Sequence, residues 1–157
     1  MSYKKNIKIC FAASSGGHFE QLLMLKKLMD KYDSFILTEK TSYSVNVENK
    51  RIYFIPQVNR KEHLFLLKII YNFIISFFLF IKERPNIVIT TGVLSMIPIC
   101  LLAKLFRRKL IYIESFAKVH SPTKSGIFLY KFADQFYVQW PQMKKFYPNA
   151  IYLGGIY

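Results

Sequence analysis

Ser14, Ser15, Gly16, Gly17 and His18 put two hydroxyls, a flexible backbone and an imidazole into five consecutive positions. The glycines can take positive φ and let a ligand approach the backbone with no Cβ in the way. Amides at a helix start favour a phosphate or an incipient anion, and histidine takes up a proton near neutral pH. Such a turn could bind an anion, remove a proton from a hydroxyl, or do both. The same residues also suit a plainer role: Ser14 or Ser15 caps a helix, the glycines turn the chain and His18 lies on the surface.

Three other polar groups follow apolar runs in the same manner. They are Thr90-Thr91-Gly92, Glu114-Ser115 and Gln139-Trp140-Pro141. A carboxylate ending a buried strand is costly unless it is paired or engaged with ligand. Glu114 can therefore bind a sugar hydroxyl, orient His18, serve as the base itself, pair with Lys118, or cap its own loop. Further on, Ser121, Lys124 and Ser125 offer hydroxyls and an ammonium to a phosphate. Their spacing is not that of a Walker loop, and helix capping explains them equally well.

Positioning these groups requires strands that end at one edge. Apolar runs at 7–13, 34–38, 51–55, 86–91, 109–114 and 135–139, with a short one at 150–153, read as strands. Helical patterns at 19–31, 63–82, 95–106, 125–133 and 142–147 alternate with them. Most of the strands are continuous apolar runs, as expected of a parallel sheet covered on both faces. The repeated βαβ order predicts an α/β, doubly wound, Rossmann-like parallel sheet of six to seven strands in one domain. In such sheets ligands bind at the carboxyl ends of the strands, where His18 falls. Residues 38–50, polar and rich in Ser, Asn and Lys, read as a mobile loop.

The chain is greasy and basic at once. Of its 157 residues 52% are hydrophobic and 17% aromatic, yet the formal net charge is +14; the mean hydropathy is +0.18. That combination suits an anionic membrane surface better than nucleic acid, because the cations are scattered and no nucleic-acid-binding motif appears. Cys10 and Cys100 lie inside apolar runs without metal-ligand spacing and read as reduced core residues of a cytosolic protein. The first apolar run is too short for a cleaved signal or an N-terminal anchor.

One helical pattern is more apolar than a sheet needs. Between Leu64 and Ile81 only Lys68, Asn72 and Ser76 are distinctly polar, four residues apart on one narrow stripe. A helix covering a sheet needs about 100° of apolar face, so the excess must meet something other than water. Three environments fit: full burial, a membrane interface, or a transmembrane span. Spanning would put two strands of one sheet on opposite sides of the bilayer, which favours the interface. Leu66, Ile70, Phe73, Phe77 and Phe80 are then the lipid-facing candidates. Arg60, Lys61, Lys82, Arg84 and Arg107-Arg108-Lys109 are the cations for anionic headgroups.

The segments SSGGHFEQL, TTG, YIES with a following SPTKSG, and ADQFYVQWPQMKKFYPNAIYLG closely resemble bacterial capsule and exopolysaccharide homologues of the membrane-anchoring subunit of the two-subunit UDP-GlcNAc transferase of asparagine-linked glycosylation. The resemblance covers nearly the whole chain. More distantly, the chain resembles the N-terminal, acceptor-side half of the UDP-GlcNAc transferase that makes lipid II, with that family's GGH turn on Gly16, Gly17 and His18 and its glutamate on Glu114.

The resemblance implies the N-terminal half of a GT-B fold. It also implies a separate donor-binding partner chain that holds most of the UDP-sugar, and an undecaprenyl-diphosphate-linked sugar as acceptor at the cytoplasmic face of the plasma membrane. In capsule systems this type acts as the enhancer or subunit of a β-1,4-galactosyltransferase. The implied reaction is inverting transfer needing neither metal nor cofactor. His18 would be general base or acceptor-positioning group, with Gly16 and Gly17 near the acceptor diphosphate and Glu114 orienting the acceptor. Thr91, Gly92 and Ser115 would line the same edge.

Other classes remain open on residues alone. A nucleotide-binding oxidoreductase would use this fold, but SSGGH is not GxGxxG and only Glu39 could end the second strand as a ribose-binding acid. A scaffold that recruits a partner and does no chemistry has the same sequence signature.

Overall fold

The computed structural model describes residues 7–42, 46–59, 62–92 and 94–157. Seven strands alternate with helices: β1 (Lys8–Ala13), β2 (Asp33–Glu39), β3 (Arg51–Ile55), β4 (Ile87–Gly92), β5 (Lys109–Ile113), β6 (Gln135–Val138) and β7 (Ile151–Tyr152). They form one sheet in the order β3-β2-β1-β4-β5-β6-β7, every pairing parallel. This is the doubly wound sheet expected from the βαβ order. Connections leave β1 and β4 in opposite directions, so the topological switch point lies between these two strands.

The helices are α1 (Gly17–Leu23), α2 (Lys26–Lys31), α3 (Phe65–Glu83), α4 (Ile97–Leu105) and α5 (Lys124–Tyr130). The pattern at 19–31 predicts one helix, but the chain breaks at Met24 and Leu25 into α1 and α2. The pattern at 95–106 starts as a 3-10 turn, Leu94–Met96, before α4, and that at 142–147 is a 3-10 turn, Pro141–Lys145.

Alternation along the strands divides the core between the two faces of the sheet. Cys10, Ala12, Phe35, Leu37, Val88, Leu110 and Tyr112 pack with residues of α3, α4 and α5. Phe11, Ala13, Ile36, Ile89 and Ile113 pack with α1 and α2. Cys10 and Cys100 are free and buried; burial pushes the Cys100 thiol up to about 12, so it stays protonated. Within the segment read as a mobile loop, residues 43–45 lie outside the described residues, while Val47 is buried and the Lys50 ammonium donates to the Met29 carbonyl.

At the amino edge of the sheet Glu83, at the end of α3, is buried to 3% exposure. It accepts from the Tyr53 hydroxyl and pairs with Lys8 at 3.2 Å and Arg51 at 3.0 Å. Burial pushes its carboxyl up, but these hydrogen bonds and charges outweigh burial and hold it below the ordinary carboxylate range. The cluster ties α3 to β1 and β3.

Candidate functional site

His18 sits in the first turn of α1, beside the switch point. Gly16 begins that helix at φ 75°, ψ −144°, a conformation open to glycine and strained for other residues. No side chain caps α1, so neither serine serves as the N-cap. The His18 ring is half-buried, and its Nδ1 lies 2.7 Å from the carbonyl oxygen of Thr91, at the end of β4. A carbonyl can only accept, so Nδ1 carries a proton; in the neutral ring Nε2 then keeps the lone pair. The Thr91 hydroxyl returns a hydrogen bond to the His18 carbonyl at 2.8 Å, and Ser14 N–H donates to the Gly92 carbonyl at 3.2 Å. Gly92 has φ 99° and passes close to the ring: a Cβ there would stand 3.6 Å from His18 Cε1 and 3.2 Å from the Tyr112 hydroxyl. The Thr91 carbonyl fixes the tautomer, and the bonds among His18, Thr91, Gly92 and Ser14 hold the imidazole to the ends of β1 and β4.

Ser15 turns toward β2. Its amide and hydroxyl lie 3.4 and 3.2 Å from Glu39 Oε2, and Glu39 is itself buried at the end of that strand. The acid that sequence reading weighed as a ribose ligand is thus engaged with the glycine turn. Ser14 is buried against that turn.

Glu114 is fully buried, and its carboxylate is surrounded by donors. Oε1 accepts from Ser115 N–H at 2.9 Å and from the Thr123 hydroxyl at 2.9 Å; Oε2 accepts from Thr123 N–H at 3.3 Å and the Tyr147 hydroxyl at 2.6 Å. Thr123 caps α5 by accepting from Gly126 N–H. Because its single hydroxyl proton goes to Glu114, the Tyr112 hydroxyl 3.2 Å away must donate to it. Burial and the adjacent carboxylate push the Tyr147 phenol well above its ordinary range, so it stays a donor. A Cβ at Gly126 would overlap the Glu114 carboxylate, which leaves room only for glycine. Lys118 does not pair with Glu114 among the described residues; the glutamate closes its own loop instead. Its backbone carbonyl accepts from Gln21 and Gln139, joining α1 and β6 to the same point.

Of the predicted site residues, Ser14, Ser15, Gly16, Gly17, His18, Thr91, Gly92, Glu114 and Ser115 gather along the carboxyl edge of β1, β4 and β5. Ser121 and Lys124 are exposed beyond it, and Ser125 is buried at the start of α5. Thr123, Tyr147, Gln21 and Gly126 complete the Glu114 cradle and carry no local motif; only the Thr-x-x-Gly step before α5 hints at a cap. Two open clefts run along this edge. One of about 1000 Å³ includes Ser15, Gly16, Phe19, Glu20 and Lys40, and one of about 690 Å³ includes Leu94, Lys118, Thr123 and Lys124; Gln57 borders both. Among the described residues no group of His, Cys, Asp or Glu could hold a metal ion.

The long helix α3 is built inside out. Asn72, Ser76 and Glu83 face the protein with Leu79 and Phe80, whereas Leu66, Ile70, Phe73, Phe77 and Phe78 are exposed, Leu66 to 68%. Asn72 donates to the Pro56 carbonyl at 2.9 Å. The polar stripe read in the sequence is therefore the inward face. Phe80 is a correction: at 3% exposure it is a core residue stacked on Phe106, because the 3.6-residue period carries positions 72, 76, 79, 80 and 83 inward together. Leu66, Ile70, Phe73 and Phe77 do lie on the outer face. Lys82, Arg84, Arg107, Arg108 and Lys109 are exposed at the far end of the helix layer; Arg60 and Lys61 lie outside the described residues. By length and composition α3 alone among the described helices could cross a membrane.

An all-parallel sheet in this order, with a glycine turn and an imidazole at the switch point, defines the Rossmann-like N-terminal half of the GT-B glycosyltransferase fold. MurG of Acinetobacter baumannii superposes with a TM-score of 0.71 at 18% identity, over 87% of this chain and 42% of that one. The UDP-N-acetylglucosamine 2-epimerase of Rickettsia bellii gives 0.72 at 8% identity, over 96% and 45%. The chain spans less than half the length of either structure, and the likeness is one of fold.

The chain belongs to the Alg14 family, whose model, described as oligosaccharide biosynthesis protein Alg14 like, matches residues 9–156. It is similar to the UDP-N-acetylglucosamine transferase subunit ALG14 of Homo sapiens, 26% identical over 182 residues that cover 98% of this chain and 84% of that protein. The subunit of the same name from Yarrowia lipolytica is 28% identical over 95% of this chain and 81% of its own. These relatives are subunits of a glycosyltransferase that uses a UDP-sugar.

Proposed function

We propose that this chain is the acceptor-side subunit of a two-component inverting glycosyltransferase of polysaccharide biosynthesis, paired with a separate chain that binds the UDP-sugar. The observation that carries this reading is His18, half-buried beside the switch point with Nδ1 held by the Thr91 carbonyl, which leaves Nε2 as the acceptor of the neutral ring. In the proposed reaction Nε2 takes the proton of an acceptor hydroxyl. The hydroxyl oxygen bonds to the anomeric carbon of the donor sugar, and the bond from that carbon to UDP breaks, with UDP leaving on the partner. General base catalysis of this kind contributes typically 10²–10⁴-fold. Glu114, saturated by its own loop, acts as a positioning residue that holds the 115–123 segment beside the reacting groups.

The acceptor in this reading is a sugar on an undecaprenyl-diphosphate carrier at the cytoplasmic face of the plasma membrane. The outward apolar face of α3, with basic residues at its end, supports attachment in the interface. A bilayer-spanning α3 would pull the inward Asn72, Ser76 and Glu83 from the sheet, which disfavours spanning. Reconstitution of the chain with its donor-binding partner, a UDP-sugar and a lipid-linked acceptor tests the reading. Transfer is expected from the pair and from neither chain alone. Transfer by the partner alone at the rate of the pair would reduce this chain to a scaffold.

A further inference from the structure

Two buried glutamines meet at one carbonyl beside the candidate site. Gln21, on α1, is 2% exposed, and Gln139, just after β6, is 4% exposed. The Glu114 carbonyl accepts from Gln21 Nε2 at 3.2 Å and from Gln139 Nε2 at 2.8 Å, which engages both of its lone pairs. Each amide also accepts at its oxygen: Gln21 Oε1 from the Phe116 N–H at 3.2 Å, and Gln139 Oε1 from the Ile156 N–H at 3.0 Å. The Phe116 carbonyl accepts from the Trp140 indole at 2.7 Å, and the Phe116 ring lies 4.9 Å from the rings of Trp140 and Tyr157. The turn after β5 is thus fixed to the end of β6 and to Ile156 and Tyr157, and Gln21 carries that frame across to α1.

Helix α1 needs such a tie. It is seven residues long, has no side-chain cap and ends at the break before α2. Phe19 and Leu22 pack beneath it, but apolar packing is non-directional and sets the rotation of the helix about its axis only loosely. The bonds between His18 and Thr91 hold one point, at the end of β4. Gln21 follows His18 by three residues, so it leaves the same face about one turn further along and holds a second point, at the end of β5. A buried amide costs free energy unless it is hydrogen-bonded, and one engaged at both ends specifies a single arrangement.

Resting on the reading of His18 as the base, we propose that Gln21 is a positioning residue for the transfer. Its amide fixes the rotation of α1 against the turn after β5 and so aims the His18 imidazole. Gln139, with Ile156 behind it, is the anchor on which that hold depends. Gln21 touches no reacting atom and acts through His18.

The test uses Gln21→Met, which keeps the length and burial of the side chain and loses both hydrogen bonds, in the full chain with its partner. In the complex kcat should fall about tenfold with KM for the UDP-sugar unchanged, since a 1 Å misplacement can cost about 100-fold. In a His18→Ala background the same substitution should cost less than about twofold. Tenfold losses in both backgrounds would overturn the inference, because an amide that only supports the fold does not distinguish them. A second readout needs no turnover. The chain has three histidines, and the imidazole signal missing from the proton–carbon spectrum of His18→Ala is that of His18. Gln21→Met should shift this Cε1–H signal and leave those of His63 and His120 in place; an unshifted His18 signal would overturn the inference. Should Gln21→Met fail to fold, Gln139→Leu, which changes no residue of α1, takes its place: it should shift the same signal, and no shift would again overturn the inference. If His18→Ala transfers sugar at the wild-type rate while the signal still moves with Gln21, the proposed reaction falls and the hold of Gln21 on the imidazole stands.

Discussion

Glu83 and Glu114 are both buried carboxylates, at opposite edges of the same sheet, and they are kept there by different means. Glu83 faces cations: Lys8 and Arg51 reach it from solvent, with Tyr53 adding a hydrogen bond. Glu114 faces neutral donors only, from the backbone of Ser115 and Thr123 and the hydroxyls of Thr123 and Tyr147. An ion cluster with half-exposed partners can rehydrate when broken. The Glu114 cradle does so less readily, because the buried Tyr147 hydroxyl left without its acceptor loses its hydrogen bond inside the protein. The amino edge is thus a fastening for α3, and the carboxyl edge is a set geometry for the loop beside His18.

The largest effect should come from Glu114→Ala, which strands the buried Tyr147 hydroxyl at roughly 1–3 kcal/mol and leaves the half-buried donors of Ser115 and Thr123 without their acceptor at less each. Chemical denaturation is expected to show a loss of about 4 kcal/mol; a loss under 1 kcal/mol would mean that the cradle does not organise the loop. Gly126→Ala should follow at about 2 kcal/mol or more, since its methyl overlaps the carboxylate and overpacking commonly costs that much. A variant as stable as the wild type would contradict the close packing.

Glu83→Gln should cost less at neutral pH, about 1–2 kcal/mol, because Lys8 and Arg51 can turn to water. Its distinguishing effect is on acid stability. Glu83 has a folded pKa below its unfolded one, so its contribution is complete above the ordinary carboxylate range and disappears as pH falls through the lower, folded value. Urea midpoints of the wild type should therefore drop between about pH 5 and pH 3 more steeply than those of Glu83→Gln. Parallel curves would remove the ion cluster from the account.

The smallest effect on folding, and a large one on location, is expected from Leu66→Ser with Ile70→Ser and Phe77→Ser. Leu66 and Ile70 are exposed, so their changes should cost within about 0.5 kcal/mol per site; Phe77, in ring contact with Phe106, should cost about 1 kcal/mol, while sedimentation with anionic vesicles should fall at least tenfold. Phe80→Ser, on the inward face, should instead destabilise by about 3 kcal/mol. Unfolding of the triple variant, or unchanged vesicle binding by the folded triple variant, would contradict the inside-out helix.

The same contrast explains what could be read from the sequence. The strands, their parallel sheet and the edge of the candidate site were legible because continuous apolar runs, each ending in polar or small residues, leave a parallel sheet with its ends aligned; the order of the strands in the sheet was not. His18 and Glu114 stood out for the same reason. The partners of Glu114 were not legible, since Tyr147 lies 33 residues away and meets it only through the fold. The spacing of Lys68, Asn72 and Ser76 gave α3 a polar stripe, but spacing alone does not say which face meets the sheet. Phe80 was misassigned to lipid for that reason. The break at Met24 and Leu25 has no glycine or proline to mark it, and follows instead from how α1 and α2 pack on the sheet.

The central claim is that His18 acts on the acceptor hydroxyl within a two-chain enzyme. Its most direct test is the turnover of His18→Ala in the reconstituted complex, with retention of the partner measured in the same preparation. The account predicts that kcat falls at least about 100-fold while the partner still co-purifies in equal amount. Transfer at the wild-type rate by that complex would contradict it.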